Sequence, residues 1–232
     1  MSKIHQGHRE RLKEKFRTNG LGGFAPHEML EFLLFYSVPR RDTNEIGHEL
    51  INTFSSISGV FDAPYNMLTD IPGIGDESAT LIKLIPELCR VYLDDMYAVS
   101  NKNVINDHVA AKDYVKSKFL GRTNEEVLLI CLGYNKKVLL CTKIAEGSME
   151  RVAITPSEVV KTALKVNSVT AMLAHNHPGG FCLPSQADMF TTRQILKALK
   201  FVNIQLIDHI IVGSDGVYSM EEKGMFPPHN VV

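Results

Sequence analysis

The spacing of hydrophobic residues divides the chain into a helical first part and a second part in which strands alternate with helices. Up to about residue 93, apolar residues recur every three to four positions in successive segments, which is typical of amphipathic helices. From about residue 107 onward, short β-rich runs alternate with segments of helical spacing. The pattern therefore predicts an α+β chain, with a small all-α unit followed by an α/β unit that contains a mixed sheet.

A change of pattern marks the boundary between these two units. Residues 94–106, with the sequence DDMYAVSNKNVIN, are polar and aperiodic, which favours a linker. We therefore expect a helical domain at residues 1–93, a linker at residues 94–106 and an α/β domain at residues 107–232. Pro86 falls inside the last helical pattern before the linker and is expected to kink or shorten that helix.

Residues 71–75, Ile-Pro-Gly-Ile-Gly, separate two helical segments and predict a helix-hairpin-helix arrangement. Backbone N–H groups in such a turn, at the N-terminus of a helix, can hold a phosphate without selecting a base sequence. The candidate DNA contacts are Ile71, Gly73, Ile74 and Gly75. However, Asp76 and Glu77 follow directly and repel phosphate. Any DNA binding is expected to be weak and non-specific, and a structural or protein-binding turn is the alternative.

Composition and charge restrict the class of protein without selecting a partner. The net charge is -1. Residues 1–100 contain ten Lys and Arg and fourteen Asp and Glu, whereas residues 101–232 contain fifteen Lys and Arg and twelve Asp and Glu. The helical unit is therefore the acidic one, which does not favour a polyanion. No apolar run approaches the ~20 residues that cross a bilayer, so we expect a soluble cytoplasmic protein without a membrane partner. The four cysteines have no paired spacing and are expected to be reduced.

Side chains with metal-ligand chemistry are concentrated in AHNHPGGFCLPSQAD, residues 174–188, between a predicted strand and a predicted helix. Alternate residues of an extended segment point the same way, so His175 and His177 can face one metal while Asn176 faces elsewhere. The loop can bring Asp188, in the first turn of the helix, to a third position. Two imidazoles and a carboxylate suit Zn²⁺, and three protein ligands leave a fourth position open, as in catalytic sites. We therefore expect one zinc ion per chain.

The spacing H-x-H-x7-S-x2-D resembles the JAMM motif of the JAB/MPN metallopeptidases. More narrowly, the segments HNHPGG, PSQAD and DHIIVG resemble the bacterial RadC family, whose members also carry an N-terminal helix-hairpin-helix region. The resemblance implies a zinc-dependent hydrolase that acts as a peptidase or isopeptidase on an unidentified substrate, and it implies an association with DNA repair. A DNA-binding accessory protein and a metal-dependent nuclease are the alternatives. Nothing in the sequence indicates the oligomeric state.

The resemblance also implies roles for residues outside the metal ligands. A glutamate at the start of an upstream strand activates the water in this family, and the matching position is Glu126, with Glu125 beside it as the alternative. Ser185 is implied to hold the scissile carbonyl or its oxyanion, although its position alone also fits a helix cap. His209 is expected to be a satisfied buried residue or one that orients a ligand from behind, and not a fourth ligand. Cys182 is interpreted as a packing residue.

Overall fold

The computed structural model describes residues 3–39, 41–99, 104–147 and 154–226, and the chain forms two compact units, Met1–Cys89 and Arg90–Val232. The first unit is helical, as the hydrophobic pattern predicts. Its helices are α1 (Lys3–Asn19), α2 (Pro26–Leu34), α3 (Asn44–Phe54), α4 (Ile57–Asp62), α5 (Tyr65–Thr69) and the first part of α6 (Asp76–Val99).

The helices of the first unit begin where local signals place them, and they enclose their own core. Helix α2 has Pro26 at its first position, where the missing N–H is not needed, and Glu28 accepts the backbone N–H of Ala25 at 2.9 Å. Residues at three-to-four spacing supply the core. The fully buried ones include Leu30, Leu34, Leu50, Leu68 and Ile82. Burial of such side chains is the main term that stabilises a unit of this size.

The linker predicted at residues 94–106 differs from the structure at both of its ends. Helix α6 contains Pro86 and continues to Val99, so residues 94–99 are helical. Asp94 supports this extension because it pairs with Arg90 one turn earlier and with Lys118. After the undescribed residues 100–103, Ile105 is buried and its N–H bonds to Lys136, so the chain there is already part of the second unit.

The second unit is an α/β structure around one mixed sheet, as predicted. Its elements are α7 (His108–Lys118), β1 (Glu126–Leu132), β2 (Val138–Glu146), α8 (Pro156–Lys165), β3 (Thr170–Asn176), α9 (Gln186–Phe201), β4 (Gln205–Gly213) and β5 (Gly216–Ser219). The strand order is β2-β1-β3-β4-β5, in which β3 and β4 are parallel and the other neighbours antiparallel. Strand β5 is too short for the hydrophobic pattern to predict.

Helices cover both faces of this sheet, so strands β1 and β3 are buried along almost their whole length. On one face, α8 and α9 pack through residues such as Val159 and Ile195 against Leu173 and Ile211. On the other face, α7 packs against a second set that includes Ile130 and Met172. Such two-sided burial explains why these strands are continuous apolar runs and do not alternate with polar residues. No helix in the described part of the chain is long and apolar enough to cross a membrane.

A β-bulge interrupts the pairing of β3 with β4. Ala171 pairs with Leu206 and the next residue, Met172, pairs with Asp208, so that Ile207 is an extra residue in β4. A bulge shifts the side-chain alternation by one position. Leu206 therefore contributes to the α9 face, and His209, three residues later, lies on that same face.

Candidate metal centre

The H-x-H segment lies at the C-terminal end of β3, next to β4. Strand β3 ends at Asn176, and the N–H of His177 still bonds to the carbonyl of Val212 at 2.8 Å, so the chain stays extended through both histidines. His175 and His177 therefore point in a common direction, as alternate residues of an extended chain do. The next helix, α9, begins in the same region and carries Asp188 in its first turn.

The three predicted metal ligands meet at this end of the sheet. Nε2 of His175 lies 2.8 Å from Nε2 of His177 and 3.3 Å from Oδ1 of Asp188. The separation between Nε2 of His177 and Oδ2 of Asp188 is 3.7 Å. One donor atom from each side chain lies within 4.8 Å of the others, and no other group of His, Cys, Asp and Glu in the described residues meets this condition. His175 and Asp188 are buried, whereas His177 is partly open to solvent.

A hydrogen bond from Nδ1 of His177 leaves its other ring nitrogen, Nε2, as the one that can bind a metal. Nδ1 of His177 lies 2.7 Å from the backbone oxygen of Phe181, which can only accept a hydrogen bond. Nδ1 therefore carries a ring hydrogen, and Nε2 is the nitrogen that faces His175 and Asp188. Two ring nitrogens and a carboxylate that converge in this way could hold a metal ion. This donor set fits zinc, which binds imidazole nitrogen and carboxylate oxygen.

Asp188 is held in its ionised form although it is almost fully buried. Burial by itself would raise the pKa of this carboxyl group, but the contact with His175, together with the bonds from Ser185, keeps that pKa well below its usual value. The N–H of Ser185 donates to Oδ2 of Asp188 at 2.7 Å. The carboxylate is therefore available as a ligand at neutral pH.

Two further buried side chains lie directly behind the predicted ligands. Nε2 of His209 is 2.8 Å from Nδ1 of His175, and Nδ1 of His209 is 2.6 Å from Oγ1 of Thr192. Thr192 in turn donates to the backbone oxygen of Asp188 at 2.6 Å. Burial is the largest cause that lowers the pKa of His209 well below its usual value, which favours the neutral imidazole. Thr192 belongs to no motif in the sequence, although its place four residues after Asp188 puts it on the same face of the helix.

Glu126, the predicted base, lies at the same end of the sheet but not within the cluster. Its neighbour Val127 pairs directly with His175 across β1 and β3. Because side chains alternate along a strand, Glu126 points to the opposite face. Its carboxylate lies 3.6 Å from Nε of Arg122 and 3.5 Å from Nζ of Lys143. A role as base therefore requires this side chain to reach around the end of the sheet.

Ser185 is the N-cap of α9, and it forms a capping box with Asp188. Its Oγ accepts the N–H of Asp188 at 3.1 Å. The capping role considered from the sequence is thus present in the structure. The same hydroxyl keeps its own hydrogen, because the bond with Asp188 uses only an oxygen lone pair. Ser185 is exposed, so a contact with a substrate oxygen is compatible with the cap.

Hydrogen bonds connect the loop between β3 and α9 to the turn after β4. The N–H of Cys182 donates to Oδ1 of Asp215 at 2.8 Å, and the N–H of Ser214 donates to the oxygen of Gly180 at 2.8 Å. A Cβ on Gly213 would lie 2.3 Å from the nitrogen of Cys182, so only glycine permits this approach. Burial and Asp215 raise the pKa of the Cys182 thiol, which argues against a nucleophilic role for it.

In the predicted hairpin, the structure separates core residues from exposed backbone. The side chains of Ile71 and Ile74 are buried in the core of the first unit. Gly73 has φ +98°, and a Cβ there would lie 2.7 Å from Cδ1 of Ile46, whereas a Cβ on Gly75 would meet nothing within 4 Å. Ile71, Gly73 and Ile74 of the hairpin therefore pack against the first unit. The N–H of Ile74 donates to the oxygen of Ile71 at 3.0 Å within the turn, so the predicted contact with phosphate would fall to the other backbone N–H groups of the hairpin.

Four basic residues of α1 contact other groups of the first unit. Lys13 and Arg17 pair with glutamates one turn earlier on α1, and Lys15 pairs with Glu28 at 2.8 Å. Arg9 donates to the backbone oxygens of three residues between 38 and 41. These pairings lower the positive potential that a polyanion would meet there.

Comparison with known proteins connects this geometry to a family. Residues 105–225 match the model of the RadC-like JAB domain. The chain is also 36% identical over 230 residues to the UPF0758 protein FN0909 of Fusobacterium nucleatum subsp. nucleatum, a match that covers 96% of this chain and 98% of that protein. Both matches include the H-x-H segment and α9, and the family supports a fold of the metal-dependent hydrolase kind. The chain belongs to the RadC family of JAB-domain proteins.

Proposed function

We propose that this protein is a zinc-dependent metallohydrolase, and specifically a peptidase or isopeptidase. The observation that carries the proposal is the convergence of two imidazole nitrogens and one carboxylate oxygen within 4.8 Å at the end of β3. Three protein ligands are the pattern of catalytic zinc sites, whereas structural zinc sites have four. A cytoplasmic location and an association with DNA repair are part of the same proposal and rest on the sequence alone.

His175 and His177 would hold the zinc ion through their Nε2 atoms, and Asp188 through its carboxylate. Zinc, when bound, supplies Lewis acidity that polarises a carbonyl and lowers the pKa of a coordinated water to about 7. The burial of His175 and Asp188 keeps this cluster in a medium of low polarity, where electrostatic interactions are stronger than in water. The partly open His177 side faces the solvent from which a substrate would approach.

In the proposed reaction, a water oxygen forms a bond with the carbonyl carbon of an amide and the carbon–nitrogen bond breaks. The carboxylate of Glu126 takes one proton from that water and passes it to the departing nitrogen. The hydroxyl of Ser185 donates a hydrogen bond to the carbonyl oxygen as negative charge develops there. Arg122 and Lys143 hold the Glu126 carboxylate before substrate binds, and catalytic hydrogen bonds often form only in the complex with substrate.

The proposal is tested with purified protein loaded with zinc and with the same protein after treatment with a chelator. Both are assayed against a labelled peptide, a peptide joined through a lysine side-chain amide, and duplex DNA. We expect cleavage of an amide substrate that chelator abolishes and added zinc restores. Cleavage of DNA alone, with the same dependence on metal, would show that the chain is a nuclease. Amide cleavage that chelator does not affect would overturn the metal mechanism.

A further inference from the structure

We propose that His209 and Thr192 are positioning residues that hold His175 in the tautomer whose Nε2 lone pair faces the metal. The inference rests on the proposed zinc site but not on any particular substrate. It follows from the hydrogen positions that the contacts of the two residues allow. Metal-binding histidines in general need a partner for the second ring nitrogen, and that partner decides which nitrogen is free to bind.

Thr192 has a single hydroxyl hydrogen, and its contacts decide where that hydrogen lies. Oγ1 lies 2.6 Å from the backbone oxygen of Asp188, which can only accept, so the hydroxyl hydrogen lies between these two oxygens. Oγ1 also lies 2.6 Å from Nδ1 of His209. Because the threonine has no second hydrogen, Nδ1 of His209 must be the donor in this contact.

The position of the ring hydrogen on His209 determines which nitrogen of His175 is the donor. His209 is fully buried, which disfavours a second ring hydrogen and the charge it brings, so the single hydrogen of the ring is on Nδ1. Its Nε2 is then an acceptor, and the contact of 2.8 Å with Nδ1 of His175 requires His175 to donate. Nε2 of His175 is then the nitrogen that faces His177 and Asp188, where a bound cation would take the place of a hydrogen.

The opposite set of hydrogen positions is disfavoured by one short contact. If Nδ1 of His175 were an acceptor, His209 would donate to it and Thr192 would donate to His209. The oxygens of Thr192 and Asp188 would then face each other at 2.6 Å without a hydrogen between them. Such a contact between two acceptors is repulsive, and burial makes an unpaired polar group costly.

The network also connects two of the three ligands through the fold. It starts at His175 on β3, crosses to His209 on β4 and reaches Thr192 on α9, which holds the backbone of Asp188. Asp208 stabilises the backbone of β4 at His209, because its Oδ1 accepts the N–H of His209 at 2.7 Å. A substitution at Thr192 or His209 is therefore expected to alter the orientation of both His175 and Asp188.

The experiment uses matched pairs of variants. Thr192→Val removes the hydroxyl with little change of shape, whereas Thr192→Ser keeps it. His209→Leu removes the acceptor for His175, whereas His209→Gln offers an amide oxygen in its place. We expect zinc affinity, measured by competition with a chromophoric chelator, to fall about 10–100-fold in the first member of each pair, with Thr192→Ser close to the parent protein and His209→Gln recovering much of the loss.

A second measurement needs no activity. Nitrogen-15 NMR of the imidazole rings in zinc-loaded protein reports which nitrogen of His175 carries hydrogen. We expect Nδ1 in the parent protein. Hydrogen on Nε2 of His175, or equal zinc affinity in Thr192→Val and Thr192→Ser, would overturn the inference. If a variant fails to fold, the spectrum of the parent protein still decides. Parent protein that binds zinc but cleaves no amide would contradict the proposed function, while the tautomer of His175 and the zinc affinities would still test this inference. Parent protein that binds no zinc would overturn both.

Discussion

The side chain of Asn176 holds the first residue of β1, because its Oδ1 accepts the backbone N–H of Glu126 at 2.8 Å. Its Nδ2 donates to the backbone oxygen of Asn124 at 2.9 Å. Asn176 lies between the two histidines of the H-x-H segment and is 4% exposed. The residue of this segment that points away from the metal thus positions the strand that carries the proposed base.

Replacement of Asn176 by alanine is expected to lower the free energy of unfolding by about 1–3 kcal/mol, because the buried N–H of Glu126 would lose its acceptor. Urea denaturation measures this change. Gln194→Ala, at an exposed position of α9, is the control and should change stability little. Equal stabilities for the two variants would show that water replaces the lost bond.

The zinc assignment predicts one metal ion per chain and its loss when both histidines are removed. The double variant His175→Ala/His177→Ala leaves Asp188 as one remaining ligand, which is too few to hold zinc at stoichiometric level. Metal analysis of dialysed protein measures the content, with Gln194→Ala again as the control. Retention of a full equivalent of zinc by the double variant would contradict the assignment.

Exchange of Glu126 for glutamine is expected to preserve zinc content and fold and to lower the hydrolytic rate by about 10²-fold or more, the usual loss when a general base is removed. The side chain keeps its size, so the packing near Arg122 and Lys143 changes little. Glu125→Gln is the matched control, since it alters the adjacent carboxylate. A larger loss in the Glu125 variant would transfer the proposed role to that residue.

The hairpin of the first unit is expected to bind duplex DNA only weakly, with a log–log salt slope of about -2 to -4 because few phosphates are neutralised. Fluorescence anisotropy over a salt series measures the slope. Gly75→Glu adds a carboxylate at a position with free space, so it should abolish binding without disturbing the fold. A change at Gly73 is less informative, since its φ of +98° and its contact with Ile46 make it a packing residue as well.

Two outcomes would reject the hairpin as the DNA contact. A steep salt slope, or binding that Gly75→Glu does not change, would point to the basic residues of α1. Arg11→Ala on that helix is then the informative variant.

The sequence was sufficient to predict the segments that carry the site and the three side chains that converge there. Local rules explain this result: the continuous apolar runs of β1 and β3 mark buried strands, and Ser185 with Asp188 marks a helix start. The H-x-H spacing places two imidazoles on one side of an extended chain. The predicted linker was less accurate, because the pairing of Asp94 with Lys118 is a contact distant in sequence that extends α6 beyond the polar pattern.

Other features of the site depend on contacts between segments far apart in the chain. The parallel pairing of β3 with β4 brings His209 beside His175, and the bulge at Ile207 turns His209 toward that face. Strict alternation from Leu206 would have pointed it to the opposite face. The direction of Glu126, toward Lys143, likewise follows from the register of β1 with β2 and β3. Residue types and local spacing decide which groups can bind a metal, whereas strand order and register decide which groups orient them, because those contacts join residues that local spacing does not relate.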